Sequence, residues 1–479
     1  MSAPAQSSDQ LYQARVPIFP RSVSGRYRTI KWAVLVFAYG VYFLLPWLRW
    51  ERPSGPTQAV LFDIVGRKFY VFDLVVYAQD IFWLAGVLVI GAFLLFFVTG
   101  LAGRVFCGYF CFQTLWTDVF VLIERIVQGE RPARMRLAKA AWGREKALKL
   151  GLTHLLWLAV ALLTGTTFTL YWGNAPDMVG AMVTGEGAFP AYATTLFLTA
   201  TTYVMAGLAR EQVCTYMCPY SRFQSVMFDQ DTLIIAYDRE RGERRAGRHK
   251  PASGLKTREE RMTKGYGDCI DCGYCVQVCP TGIDIRNGLQ VQCISCALCV
   301  DACNTIMESI GYPRGLVRYS SERALAGGKT KLLKLKHVGY GIGVLIAIAL
   351  LSFSVATRST VDVSVVQVRQ PLAVTLSDGR IQNQYEVKIM NKTNVPARFA
   401  IHLAGLAGAQ LDLGHFTELS VGAGSSVRVL ARVRMDPHGA TQSKQPFEFV
   451  VERLDNDQIP AATWQAVFYT PPEKLEVHH

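Results

Sequence analysis

Charge is in short supply in this 479-residue chain. Lys, Arg, Asp and Glu make up 18% of it, while hydrophobic residues reach 51% and the mean hydropathy is +0.20. Soluble domains usually carry about 25% charged residues, so an ordinary soluble protein is excluded. A small-x-small cleavage site is also missing after the first apolar stretch, which itself follows 28 polar or mixed residues. That stretch is therefore expected to be an anchor and not a cleaved signal. No Gly-rich dinucleotide fingerprint follows a strand pattern, which removes a flavin or nicotinamide site. The region after Ala356 has no cysteine, and nothing in it reads as catalytic.

A spanning helix needs about 20 mostly apolar residues. Five windows approach or pass that length. Seventeen uncharged residues separate Lys31 from Arg49, 23 separate Asp80 from Arg104, 27 separate Lys149 from Asp177, 23 separate Glu186 from Arg210, and 21 separate Lys336 from Arg358. The first extends back to Thr29 if Lys31 snorkels.

The net charge of +13 follows the same layout. Segments 1–31, 103–149 and 210–336 hold 5, 9 and 20 Lys and Arg, against 4 in 49–80 and none in 173–189; the 12 after Ala356 are matched by 12 acids. The positive-inside rule then puts the N-terminus in the cytoplasm and the C-terminal region outside. The basic excess reads as topology, and no nucleic-acid partner is expected.

The expected organisation is a cytoplasmic arm (1–29), a membrane domain with four spans (30–237), a charged solvated linker (238–265), a cluster domain (266–312), a basic connector (313–336), a fifth span (337–357) and an outer domain (358–475). In that last part, alternating runs at Val361–Gln367, Gln384–Met390, Arg398–Leu403, Ser426–Val433, Pro446–Leu454 and Thr463–Tyr469 are separated by turn signals, as in an immunoglobulin-like β-sandwich. Residues 55–78 read equally as an interfacial segment or a hairpin. The fold class is thus a five-helix transmembrane α-bundle, a two-cluster ferredoxin-like domain and a C-terminal sandwich.

The twelve cysteines carry the chemistry. Cys269, Cys272, Cys275 and Cys279 are spaced by two, two and three residues, with Pro280 following; Cys293, Cys296, Cys299 and Cys303 repeat that spacing, with Asn304 in the proline's place. This is the bacterial two-cluster rhythm, in which the fourth cysteine of each run ligates the other cluster. One 4Fe–4S cluster is expected on Cys269, Cys272, Cys275 and Cys303, the other on Cys293, Cys296, Cys299 and Cys279. Zinc takes four ligands in spaced pairs, and disulfides are disfavoured in a reducing cytoplasm.

The other four form an internal repeat: span, C-x-Y-x-C, then an amphipathic stretch expected to be a surface helix (112–127 and 219–237). Cys107/Cys111 follow Arg104, and Cys214/Cys218 follow Arg210. If helical, each i, i+4 pair shares a face and can clasp a soft ion such as Cu(I), with Met217 and Met205 as candidate thioether ligands. Small apolar filler and a redox disulfide are the bland alternatives. Pro219 disfavours helix at Cys218, which instead suggests a helix start, where amides lower a thiol pKa. His154 and His337 lie in or beside spans; without a matched pattern they read as packed or interfacial.

Together, the spans, the paired C-x-x-x-C motifs, the ferredoxin loop and the outer sandwich resemble the CcoG (FixG/RdxA) family of cytochrome c oxidase accessory proteins. The segments that carry the resemblance are Val16-Pro17-Ile18-Phe19-Pro20-Arg21, Arg67-Lys68-Phe69-Tyr70, Cys214-Thr215-Tyr216-Met217-Cys218-Pro219-Tyr220 and Asp268-Cys269-Ile270-Asp271-Cys272. Membrane subunits resembling NapH share the C-x-x-x-C pair; Phe112, where the second pair has proline, departs from the pattern.

The resemblance implies a cupric reductase of the bacterial inner membrane, reducing Cu(II) to Cu(I) for assembly of a cbb-type oxidase. Copper would be held by Cys107 and Cys111 or by Cys214 and Cys218, and the sandwich would be periplasmic. A copper-exporting ATPase and oxidase assembly factors are the implied partners, the electron donor is unnamed, and a homodimer is left open. A quinol-linked conduit and a non-catalytic assembly scaffold are the rival readings.

Overall fold

The computed structural model describes residues 17–248, 250, 257–436, 442–455 and 460–471. Val16 of the first family segment, the first 15 residues of the arm, Lys256 and 472–475 lie outside them. The chain divides into two compact units, Met1–Trp50 with Gln58–Leu351, and Glu51–Thr57 with Ser352–His479.

Among the described residues, five helices are long and apolar enough to cross a membrane, four in the first unit and a fifth that begins there and ends in the second: Arg26–Trp47, Ala78–Ala102, Val105–Gln128, Arg144–Leu170 and Leu335–Ala356. Four coincide with expected windows. The fourth expected window is helical as well, Phe189–Thr202 running into a π-helix Tyr203–Ala209, but it is not one of these five. Its threonines lower its hydropathy and satisfy their hydroxyls within the helix, as when Thr199 Oγ1 donates to the Thr195 carbonyl at 2.7 Å.

Val105–Gln128 takes its place on that list and corrects the reading of 112–127 as a surface stretch. Its amphipathic pattern is real, but the apolar side meets protein. Leu115, Trp116 and Phe120 pack with Leu35, Trp157 and Ala161. Its acids are paired: Asp118 with Lys31 (3.0 Å) and Arg28 (3.1 Å), and Glu124 with Arg134 (3.1 Å) and Arg210 (3.3 Å). A helix with charges on one side must turn that side to protein or water and not to lipid.

Residues 55–78 resolve toward the hairpin reading, with Val60–Asp63, Lys68–Val71 and Leu74–Tyr77 forming an antiparallel meander.

The cluster domain is larger than 266–312. Ile234–Tyr237 pairs antiparallel with Val317–Ser320, and Ile235, Tyr237, Leu316 and Val317 share a core with Cys269, Cys275 and Cys293. The second half of the 219–237 stretch is thus a buried strand, and only Pro219–Met227 is helix.

The charged linker also folds onto this domain. Asp238 and Thr257 cap the short helices Arg239–Glu243 and Arg258–Thr263. Arg241 (2.7 Å) and Arg258 (2.9 Å) both bind the Asp268 carboxylate beside Cys269. The arm from residue 17 is a strap. The Arg21 amide donates to the Gln277 carbonyl (2.8 Å), Tyr274 Oη donates to the Ser22 carbonyl (2.9 Å), and the Phe19 carbonyl accepts from Arg131 (3.1 Å).

The second unit is a sandwich of two antiparallel sheets. Gln410–Asp412, Ser426–Met435, Ile381–Asn391 and Val361–Gln367 form one, with Val374–Thr375 on its edge; Leu419–Val421, Ala397–Ala404, Lys444–Arg453 and Ala462–Tyr469 form the other. All six expected strands are present. Alternate residues such as Val363, Val387, Phe399, Val433 and Phe449 fill the core. Two buried polar groups tie one sheet to the other: Tyr385 Oη donates to the Val467 carbonyl (2.7 Å), and Asn383 exchanges two hydrogen bonds with the Tyr469 backbone.

Candidate metal centre

All twelve cysteines are free thiols. Cys269, Cys272, Cys275 and Cys303 line one small apolar cavity. Cys279, Cys293, Cys296 and Cys299 line a second, with Cys275 between the two. The fold therefore gathers both crossed sets of four.

The two loops share one backbone design. Asp271 and Gly273 in the first, and Ser295 and Ala297 in the second, all have left-handed φ values of 47–66°. Successive turns of this kind aim amide N–H groups into a concavity that suits an anion, which is what sulfides and thiolates present. Left-handed Ala297 carries strain of about 1–2 kcal/mol, tolerated where a site dictates the backbone. Asn304 stands where proline is usual because the chain stays helical there, through Leu298–Ser309; its Oδ1 accepts from the Gly315 amide at 2.9 Å.

Burial raises the Cys275, Cys293 and Cys303 thiols to about 12. Iron must therefore displace a proton from each. Cations lie within electrostatic reach: Arg286 of Cys275, Arg104 of Cys293 and Lys31 of Cys296. Eight thiols around two apolar cavities, with amides and cations at hand, fit two 4Fe–4S clusters.

The C-x-x-x-C pairs depart from the i, i+4 helical geometry. Cys107 sits in the short helix Val105–Tyr109, while Cys111 is extended and begins the helix Phe112–Gln128. Cys214 sits in a π-turn, Val213–Met217, while Cys218 is extended and begins Pro219–Met227. Both second cysteines are thus at helix starts, where proline is favoured as the first helical residue and Phe112 takes the same place in the other repeat. For Cys214, burial with Cys111 and Cys218 close by raises the thiol to about 11.

The two pairs come together. Arg104, itself buried, lies within electrostatic reach of Cys107, Cys214 and Cys218, and Cys214 lies within reach of Cys111. The Arg104 guanidinium is fixed by the Val291 and Ser221 carbonyls. Arg210, its counterpart in the repeat, turns away to Glu124.

The pairs also differ. In the first, Tyr109 is 5% exposed and donates to the Cys296 carbonyl at 3.1 Å, so it packs on the second ferredoxin loop. In the second, Tyr216 is 75% and Met217 is 65% exposed. Among the described residues no three His, Cys, Asp or Glu close on a point that would hold a single ion.

His337 takes the packed reading, while His154 is exposed with one side of its ring against aromatic neighbours. His154 Nδ1 is 2.8 Å from Tyr203 Oη, and its ring meets Trp157 edge-on. His337 Nδ1 is 2.7 Å from the Leu332 carbonyl, with the ring against Gly100. Sequence reasoning missed Gln224, which accepts from Cys107 Sγ at 3.3 Å, and Asp301, which binds the Tyr27 and Arg28 amides at 3.3 and 2.8 Å. The position of Asp301 between Cys299 and Cys303 was the available signal.

Comparison with known proteins agrees with this layout. Residues 209–322 match a 4Fe-4S dicluster domain, 84–128 a 4Fe-4S binding domain, and 351–471 the Ig-like fold at the C-terminus of FixG. RdxA of Cereibacter sphaeroides is 40% identical over 96% of this chain and 99% of its own length. RdxB of the same organism is 41% identical, covering 87% of this chain and 88% of its own length. The nitrogen fixation protein FixG of Rhizobium meliloti is 38% identical, covering 84% and 82%. A crystal structure of a FixG-related protein from Vibrio parahaemolyticus, 17% identical, covers 23% of this chain and 97% of its own at a TM-score of 0.21, too slight to carry an argument.

Proposed function

The chain belongs to the FixG/RdxA family of membrane iron–sulfur electron-transfer proteins, and from that premise we propose that it reduces Cu(II) to Cu(I) in support of copper delivery to a cbb-type cytochrome c oxidase. One observation carries the reading. Four soft thiols from two repeats gather near one buried arginine, on the loop of the second ferredoxin site, with a thioether exposed at their edge.

When bound, the clusters supply electrons one at a time, which matches the Cu(II)/Cu(I) couple. The protein's own residues do the rest. Tyr109 and Gly108 hold the first pair against the second cluster loop, so electrons reach the thiols through one layer of backbone. Thiolate and thioether ligands favour Cu(I) over Cu(II) and so raise the potential of copper met there. Met217, exposed between Cys214 and Cys218, offers an ion arriving from solvent a soft first ligand.

The basic segments set the arrangement we propose in the bacterial inner membrane, with the strap and cluster domain cytoplasmic and the sandwich periplasmic. A copper-exporting ATPase and oxidase assembly factors are the partners this role needs.

With the clusters reduced by dithionite, the excess removed and a Cu(I) chelator as readout, the chain is expected to reduce Cu(II), and Cys214→Ser with Cys218→Ser to abolish this while the ferredoxin clusters stay; undiminished activity in that variant would overturn the reading. A cavity of about 320 Å³ lined by Tyr42, Phe112, Trp116 and Met205 favours the quinol conduit as the second reading. That reading predicts cluster reduction by a quinol and no copper binding.

A further inference from the structure

We propose that the open cleft between the strap, the helix Arg131–Lys139 and the first ferredoxin loop binds the headgroup of an anionic phospholipid. This is independent of the copper reading and needs only that the chain sits in a membrane.

The first argument is charge. The cleft has a volume of about 630 Å³, within the roughly 300–1,000 Å³ of small-molecule sites. Arg21, Arg131, Arg136 and Lys139 line it, against one acid, Glu130. That acid is already engaged, accepting from the Ser22 amide at 3.5 Å and pairing with Arg125 at 3.6 Å. The cations keep donors free. The Arg21 guanidinium lies over the Tyr274 ring, 4.6 Å from its centroid, and Arg131 uses one N–H on the Phe19 carbonyl. Arg136 and Lys139 are exposed and have no ion pair or side-chain hydrogen bond among the described residues. Three residues apart on a helix without an acid of its own, they repel each other. An anion in the cleft relieves that repulsion.

The second argument is the mixed lining. Arg131, Met135 and Lys139 recur every four residues and share one helix face, while Arg134 on the other side is buried against Glu124 at 3.1 Å. Pro132 and Met135 thus stand among the cations of the cleft. Guanidinium forks match phosphate oxygens, and the proline and methionine offer apolar contact to a glycerol backbone. An amphiphilic anion fits both.

The third argument is level. Lys146, in the first turn of the span Arg144–Leu170, donates to the Ala138 carbonyl at 3.1 Å and the Ala140 carbonyl at 2.6 Å. The last turn of the basic helix is therefore clamped to the start of a span. Trp142, between them, is exposed, with Lys146 5.3 Å from its ring centroid. An exposed tryptophan at the end of a span marks the headgroup region, where basic clefts take anionic headgroups. This position favours a membrane lipid over a soluble phosphate or a protein. Gln277, between Cys275 and Cys279, forms the remaining wall, so the headgroup joins the loop that serves both clusters to the membrane.

For the test, the full-length chain with its clusters, in a non-denaturing detergent, is titrated with phosphatidylglycerol, phosphatidylcholine or inorganic phosphate, and bound molecules are counted by native mass spectrometry. Wild type is expected to hold phosphatidylglycerol in preference to the other two. One cation at a membrane surface changes affinity about fivefold, so Arg136→Gln with Lys139→Gln should weaken phosphatidylglycerol binding about 25-fold. Cluster absorption should match wild type in that variant, because both side chains are exposed. Arg245→Gln with Lys264→Gln, an equal loss of charge outside the cleft, should bind as wild type does. Equal retention of the two lipids by wild type, undiminished binding in the cleft variant, or an equal loss in the control variant overturns the proposal. Inorganic phosphate held as tightly as phosphatidylglycerol makes the cleft a soluble-anion site and also overturns it. So does slower cluster reduction by reduced flavodoxin, an acidic protein, in the cleft variant without any lipid preference in wild type, which makes the cleft a protein dock.

Discussion

Gly108 and Thr215 occupy the same place in the two repeats, and the structure predicts opposite tolerance at them. A Cβ at 108 would lie 2.7 Å from the Ile294 carbonyl oxygen, 2.9 Å from Cys296 Cα and 3.0 Å from Cys296 N. These are backbone atoms in a loop held by left-handed Ser295 and Ala297, so they cannot swing aside as a side-chain tip can. Gly108 itself lies in a helical turn, which alanine adopts without strain, so the whole penalty is overpacking, about 1–3 kcal/mol. Forcing the loops apart also strains the bond from Tyr109 to the Cys296 carbonyl, worth about 0.5–1.5 kcal/mol. Thr215 makes only a local bond, from Oγ1 to the Glu211 carbonyl, and Thr215→Ala should cost under about 1 kcal/mol. Thermal loss of the visible iron–sulfur absorption reads both variants. Gly108→Ala should lose cluster absorption at clearly lower temperature than wild type, with Thr215→Ala close to wild type. Equal melting of all three would refute the contact.

Asp118 is the counter-ion of Lys31, whose amine is fully buried. Asp118→Asn should destabilise the membrane unit by about 3–5 kcal/mol by leaving that charge unpaired, and Lys31→Met in the same chain should recover most of the loss; a double variant no better than the single one would contradict this. Burial alone would raise Asp268, but Arg258 and Arg241 outweigh it and hold its carboxyl below the usual range. Its ion pairs therefore stabilise the first cluster loop above the unfolded carboxylate value of about 3.9, and that stabilisation is lost as pH falls through the lower folded value. Asp268→Asn should flatten the acid side of cluster stability against pH; an unchanged acid limb would remove Asp268 from the account. In the sandwich, Asn383→Ala should cost about 1–3 kcal/mol, because the Tyr469 amide and carbonyl lose their partner inside the protein; guanidinium unfolding of the full chain, followed by tryptophan fluorescence, checks it.

Most of this architecture was legible because two signals are local. Uninterrupted apolar runs mark spans whatever they pack against, and the cysteine rhythm is fixed by the geometry of its cluster. The strands of the sandwich announce themselves by alternation. What escaped depends on distant partners. Ile234–Tyr237 is buried on both faces, so it does not alternate, and only its pairing with Val317–Ser320 makes it a strand. Phe112–Gln128 has a true amphipathic pattern, but nothing in the sequence says that Lys31, Arg134 and Arg210 neutralise its acids. The basic linker looked solvated because Asp268, which binds Arg241 and Arg258, follows it in the chain. Identical spacing in the two C-x-x-x-C pairs says nothing of how they sit relative to each other. Their convergence, and the contrast between buried Tyr109 and exposed Tyr216, arises only when the repeats fold against each other.

In the proposed function, electrons leave the clusters through the C-x-x-x-C thiols to copper. Strictly anaerobic titration of the reduced chain with Cu(II), following the cluster absorption and Cu(I) together, tests it most directly. One Cu(I) should form for each electron lost by the clusters, with no such exchange when Cys214 and Cys218 are serine. Clusters that stay reduced while copper remains Cu(II) would contradict it.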